Sequence, residues 1–110
     1  MVKYCGYTVR NEWMYQRGVD LGFPRPVTAE EKSDMILLIS RDLMTETGVS
    51  RCTKLRHVKT AKGTGFWCIA FASNDTLSER LPTTAPSEEK YKALKEVLQK
   101  KGPPRWYKAS

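Results

Sequence analysis

The sequence predicts an α+β domain of the ferredoxin-like βαββαβ kind, a four-stranded antiparallel sheet with two helices on one face. Three observations carry that expectation. Two segments repeat apolar residues at helical spacing, four short segments are rich in β-formers, and the two kinds alternate along 110 residues. Elements in this order are joined most simply as a split βαβ sandwich. The right-handed crossover rule then sets the first and third strands side by side in the middle of the sheet.

Residues 2–10 (VKYCGYTVR) form the first strand, with Gly6 marking a bulge or a point of close backbone approach. Residues 11–27 follow as an irregular stretch, interrupted by Gly18, Gly22, Pro24 and Pro26. Thr28-Ala29-Glu30-Glu31 is a capping box, and Met35, Ile36, Leu38, Ile39 and Leu43 then make a broad apolar stripe. Gly48 supplies the left-handed residue that ends this first helix near Thr47.

Residues 51–60 and 65–73 form a hairpin. With Lys62-Gly63 as a two-residue turn, Val58 faces Trp67 and His57 faces Cys68. Trp67, Ile69 and Phe71 then share the face toward the helices, and Phe66, Cys68 and Ala70 share the other. This register puts Lys54 and Arg56 on the core side, a conflict that an edge position or a bulge would relieve. Residues 74–85 form a polar loop with one helical turn at 76–80. Pro86 opens the second helix, Glu88 and Glu89 sit near its positive end, and Tyr91, Leu94, Val97 and Leu98 are its apolar face. Gly102-Pro103-Pro104 stops it before a last strand at 105–109.

With 40% apolar and 28% charged residues the composition is that of a globular chain, and no apolar run approaches the ~20 residues that span a bilayer. A single domain over 1–110 is expected. Cys5, Cys52 and Cys68 are odd in number and show no Cys-x-x-Cys spacing, which argues against a disulfide framework and against a metal site. Reduced thiols and the absence of a signal-like N-terminus point to the cytoplasm or nucleus. No cofactor-binding motif is evident.

The net charge of +7 is unevenly placed. Residues 1–50 hold six Lys/Arg against seven Asp/Glu, whereas residues 51–110 hold thirteen against five. Such asymmetry suits a polyanionic partner. The candidate nucleic-acid contacts are His57, Lys59, Lys62 and Phe66 of the hairpin, with Arg105 and Lys108 of the last strand. They combine cations for phosphates with an aromatic on which a base can stack.

Lys62-Gly63-Thr64-Gly65-Phe66-Trp67-Cys68-Ile69 resembles the third-strand signature of RNA-recognition motifs, which runs basic, Gly, aromatic, Gly or Ala, aromatic, aliphatic, any, aromatic. Lys62, Gly63, Gly65 and Phe66 match it, while Thr64, Trp67 and Ile69 depart from it. The resemblance implies a stacking role for Phe66 and a phosphate near Lys62. It covers about ten residues and the order of elements, and the seventeen residues at 11–27 have no counterpart in that family's first strand–helix junction.

A second candidate site lies at 11–27, where Trp13, Tyr15, Arg17, Phe23 and Arg25 together supply aromatics and cations for an aromatic or anionic ligand. His57 opposite Cys68 suggests an activated thiolate, but the apolar neighbours of Cys68 favour a buried, inert cysteine. The expectation is a non-enzymatic module binding RNA or another polyanion on an open sheet face. The alternative is a ferredoxin-like homodimer, sheet against sheet, holding or processing a small ligand under the 11–27 segment.

Overall fold

Seven elements succeed one another in the computed structural model: β1 (Lys3–Val9), α1 (Asn11–Asp20), α2 (Ala29–Glu46), β2 (Lys54–Lys59), β3 (Gly65–Ser73), α3 (Glu88–Val97) and β4 (Arg105–Ala109). The structure describes residues 1–75 and 80–110, so the helical turn expected at 76–80 lies mainly outside the described residues. The α+β class and the four-stranded antiparallel sheet are found as expected. Two features differ: the helices number three among the described residues, and the sheet is not open.

The additional helix is α1, in the segment expected to be irregular. Met14, Tyr15 and Gly18 share its buried face. Gly18 lacks the methylene that would keep α2 away, since a Cβ there would sit 2.5 Å from the Met35 sulfur. Glycine weakens a helix locally but permits this close crossing, and the packing outweighs the propensity. The capping box opens α2 as expected. Thr28 Oγ1 accepts from the Glu31 N–H, and the Glu31 carboxylate accepts from the N–H groups of Thr28 and Val27, which holds its pKa below the ordinary carboxylate value.

Each helix ends in the same reciprocal pair of hydrogen bonds around a residue of positive φ. Gly22 closes α1, Gly48 closes α2, and Gln99 (φ +55°) closes α3. At α3 the Lys100 N–H bonds the Lys95 carbonyl and the Gln99 N–H bonds the Glu96 carbonyl, the arrangement of a Schellman motif. The helix therefore ends at Val97, five residues before Gly102.

The β2–β3 hairpin is one residue out of the expected register. Gly63 (φ +84°) donates to Thr60, and Thr60 donates to Thr64, which makes Ala61-Lys62-Gly63 a three-residue loop with glycine in the left-handed position. Val58 consequently pairs with Phe66, His57 with Trp67 and Arg56 with Cys68. A one-residue slip exchanges the faces of a strand. Leu55 and His57 turn to the side of Ile69 and Trp67, and Lys54 and Arg56 leave that helix-covered side for the side of Ala70 and Cys68, where both are half-buried.

β1 pairs antiparallel with β3 on one side and β4 on the other, and β2 pairs with β3 and, over two residues, with β4. The sheet closes into a barrel in the order β1-β3-β2-β4. A bulge between Cys5 and Gly6 bends β1, and a Cβ on Gly6 would lie 2.0 Å from the Ile69 carbonyl oxygen, so glycine permits the approach of the two strands.

Closure creates two cores. The outer one packs Tyr7, Val9, Ile69 and Phe71 against Met14 of α1, Ile39 and Leu43 of α2 and Leu94 of α3. The inner one gathers Tyr4, Val58, Cys68 and Ala70 inside the barrel, with Leu81 and the half-buried Phe66 and Tyr107. The face expected to be open, bearing Phe66, Cys68 and Ala70, is thus folded in on itself. No helix among the described residues is long and apolar enough to cross a membrane.

Candidate nucleic-acid interface

Antiparallel pairing decides which cations meet. Lys3 of β1 is the register partner of Lys108 of β4, and Lys108 is the partner of Lys59 of β2. Three exposed lysines therefore stand in one row across three adjacent strands. The partners of the neighbouring positions, Tyr4 with Tyr107 and Val58 with Ala109, contribute to the inner core, so the lysine row lies on the outside of the barrel. Trp106 is two residues from Lys108 on the same strand face and is 41% exposed.

A groove of about 610 Å³ runs along this surface, with Lys3, Lys59, Arg105, Trp106 and Lys108 in its wall. None of its lining residues is acidic, and none of these four cations is paired with a carboxylate among the described residues. Like charges placed directly opposite across strands repel, by a few tenths of a kcal/mol up to about 1 kcal/mol for each pair. A counter-anion along the row removes that repulsion, while an exposed indole beside it offers a stacking face.

The structure brings together Lys59, Arg105 and Lys108 of the six residues expected to contact nucleic acid. The other three lie elsewhere. Phe66 is half-buried against the inner core, so it does not present an open stacking face. His57 packs edge-on against Trp67 at 5.1 Å, with its Nδ1 2.7 Å from the Ser110 hydroxyl. Lys62 is exposed at the tip of the hairpin loop. Sequence reasoning missed Lys3 and Trp106. The alternation Arg105-Trp106-Tyr107-Lys108 carries a signal for Trp106, because an inward Tyr107 forces its neighbour outward. Lys3 joins the group only through the β1–β4 register.

His57 and Cys68 do not meet across the hairpin, since the one-residue slip pairs His57 with Trp67. Burial pushes the Cys68 thiol up to about 12, with a smaller contribution from Cys5, and burial also raises the Cys5 thiol. Neither is available as a thiolate near neutral pH. No group of three or more His, Cys, Asp or Glu side chains among the described residues is arranged to hold a metal ion.

The 11–27 candidates are dispersed by α1. Tyr15 is buried, and Trp13 borders the outer core beneath Arg17, whose guanidinium carbon is 5.6 Å from the ring centroid. Arg17 also pairs with Glu46 and lies 3.7 Å from Asp42, and Arg25 pairs with Glu12. Both cations are thus answered by carboxylates of the chain itself. Phe23 and Arg25 border a cavity of about 220 Å³ whose floor includes Met35 and Leu38.

A further cationic cavity, of about 250 Å³, lies where α3 turns into β4. Thr8, Lys100, Lys101 and Arg105 line it, and the Tyr7 hydroxyl donates to the Gly102 carbonyl at 2.8 Å on its rim. Burial, then the neighbouring Arg10, lowers the pKa of Lys100.

No family model matches the sequence, and no curated protein or solved structure matches it with significant similarity.

Proposed function

We propose that this chain is a small non-enzymatic module that binds a polyanion, single-stranded RNA, across the outer surface of β1, β4 and β2. The observation that carries this reading is the row Lys3–Lys108–Lys59 beside the exposed Trp106. Three aligned lysines and Arg105 match successive phosphates, and one indole face accepts a base without regard to its identity. The site differs from the one an RNA-recognition motif would use, because Phe66 packs inward. We read the barrel itself as a ferredoxin-like sandwich closed by the short β2–β4 bridge, which moves binding from the sheet face to its outside.

Titration of unlabelled oligo-uridylate, followed by isothermal titration calorimetry, tests the proposal. Affinity in the range of about 1–100 µM is expected at physiological salt, as for non-specific electrostatic binding. With four phosphates neutralised, affinity falls roughly 50-fold between 50 and 200 mM salt, and K108Q lowers the log–log slope by about 0.7. Trp106→Ala weakens binding by about 1–3 kcal/mol without loss of fold. Undiminished binding by Trp106→Ala and K108Q would place the site elsewhere.

A second reading keeps a small ligand at the apolar cavity beside Phe23 and Arg25, in a chain that self-associates. Burial of Cys68 and Ala70 within one chain favours a self-association surface other than the sheet face. A salt-insensitive dimer by light scattering, with no RNA binding, favours it over the first.

A further inference from the structure

The groove and the smaller cationic cavity are adjacent, since Arg105 and Tyr107 belong to the walls of both. They differ in character. The groove presents its lysines in a line across the strands, whereas the cavity gathers Lys100, Lys101 and Arg105 around one space of about 250 Å³ with the Thr8 hydroxyl. No acidic residue among the described residues lines it.

The chain brings these charges together at some expense. Gln99 holds a left-handed conformation that costs a side-chain-bearing residue about 1–2 kcal/mol, and the turn it makes leads directly into Lys100 and Lys101. The Tyr7 hydroxyl fixes the next residues by bonding the Gly102 carbonyl at 2.8 Å. Lys100 is only partly exposed and lies close enough to Arg10 to feel its charge. The left-handed residue that caps α3 thus also leads two lysines to the wall of one cavity.

We propose that this cavity receives the terminal phosphate monoester of the nucleic-acid strand that lies in the groove. The inference rests on the groove being a strand-binding surface. An internal phosphodiester carries one charge and is matched by a single lysine of the row. A terminal monoester carries about −1.5 to −2 at neutral pH and presents three acceptor oxygens. Two lysines, one arginine and a hydroxyl converging on one space fit the second and are in excess of the first. Arg105, shared by both spaces, lies at the junction between the last diester and the terminal group.

Unlabelled octanucleotides bearing a 5′-phosphate, a 3′-phosphate or hydroxyls at both ends are titrated against the full chain, with isothermal titration calorimetry as the readout. One of the two phosphorylated forms is expected to bind about tenfold more tightly than the hydroxyl form, a gain of the size of one charge-assisted hydrogen bond. The double variant K100Q/K101Q is expected to erase that gain while binding the hydroxyl form as the parent does. Because Lys100 is partly buried, K101Q alone serves as the second variant and should reduce the preference with the circular dichroism spectrum unchanged. Equal binding of all three oligonucleotides overturns the strand-end site and leaves the groove reading intact. Absence of binding by every oligonucleotide overturns both. Inorganic phosphate binding as tightly as the phosphorylated strand assigns the cavity to a free phosphate and overturns the strand-end proposal.

Discussion

At the scale of the residue, Gly6 shows how one missing side chain allows two strands to meet. The bulge at Cys5/Gly6 leaves no space for a Cβ, whose nearest neighbour would be the Ile69 carbonyl oxygen at 2.0 Å. Backbone cannot yield as a flexible side chain does, so Gly6→Ala should cost roughly 3 kcal/mol or more, the upper part of the range for overpacking. Gly22→Ala lies at an open position, with nothing within 4 Å of the added carbon, and its cost should be limited to the left-handed strain of about 1–2 kcal/mol. Urea denaturation of the two variants checks the difference, and equal losses would mean that the strand approach is not what Gly6 secures. Gly6 was legible in the sequence as a bulge or close approach. What it approaches was not, because the partner lies 63 positions along the chain, at Ile69.

At the scale of the element, local chemistry was legible where it was self-contained. The Thr28–Glu31 capping box and the stop at Gly48 need only contacts within a few residues, and both are present. α1 was not legible, because Gly18, Gly22, Pro24 and Pro26 argue against a helix until α2 supplies the surface on which Met14, Tyr15 and Gly18 pack. The end of α3 was misplaced for a related reason: Gln99 accepts a left-handed φ that sequence reasoning assigns to glycine. That assignment makes a sharp comparison. Gln99→Gly should stabilise the chain by roughly 0.5–1 kcal/mol, whereas Gly48→Ala at the equivalent position of α2 should destabilise it by about 1 kcal/mol. Chemical denaturation reads both, and a Gln99→Gly variant less stable than the parent would show that the Gln99 side chain contributes more than its backbone costs.

At the scale of the whole molecule, closure of the sheet makes an interior from what would have been a surface. Cys68, on the face expected to be open, is fully buried in the barrel, and its thiol is pushed from 9.0 up to about 12. The sign of the consequence follows from proton linkage. Between those two values the unfolded chain has released the thiol proton and the folded chain has kept it. Stability is therefore fully present below about pH 9 and declines as pH rises toward 12, at up to about 1.4 kcal/mol per pH unit from this group. Cys68→Ala should flatten that alkaline decline in thermal melts recorded from pH 8 to 11. An unchanged pH profile would show that other groups, such as the similarly raised Tyr7, govern it. Closure also exchanges which aromatic faces solvent. The aromatic that leads the hairpin signature, Phe66, is drawn toward the interior, and Trp106 on the short last strand takes the exposed position.

The sequence by itself determined the elements whose causes are local: the capped α2, the glycine that bends β1, the four β-rich segments and the concentration of positive charge in the second half. Those features act over a few residues or through composition, where one chain read in order is sufficient. Only the tertiary structure decided the register of the hairpin, the helical state of residues 11–20, the closure of the sheet and the alignment of Lys3, Lys108 and Lys59. Each of these depends on pairing between distant segments. One residue in a turn exchanges the faces of a strand, and a barrel closes through β2–β4 contacts that no local pattern encodes.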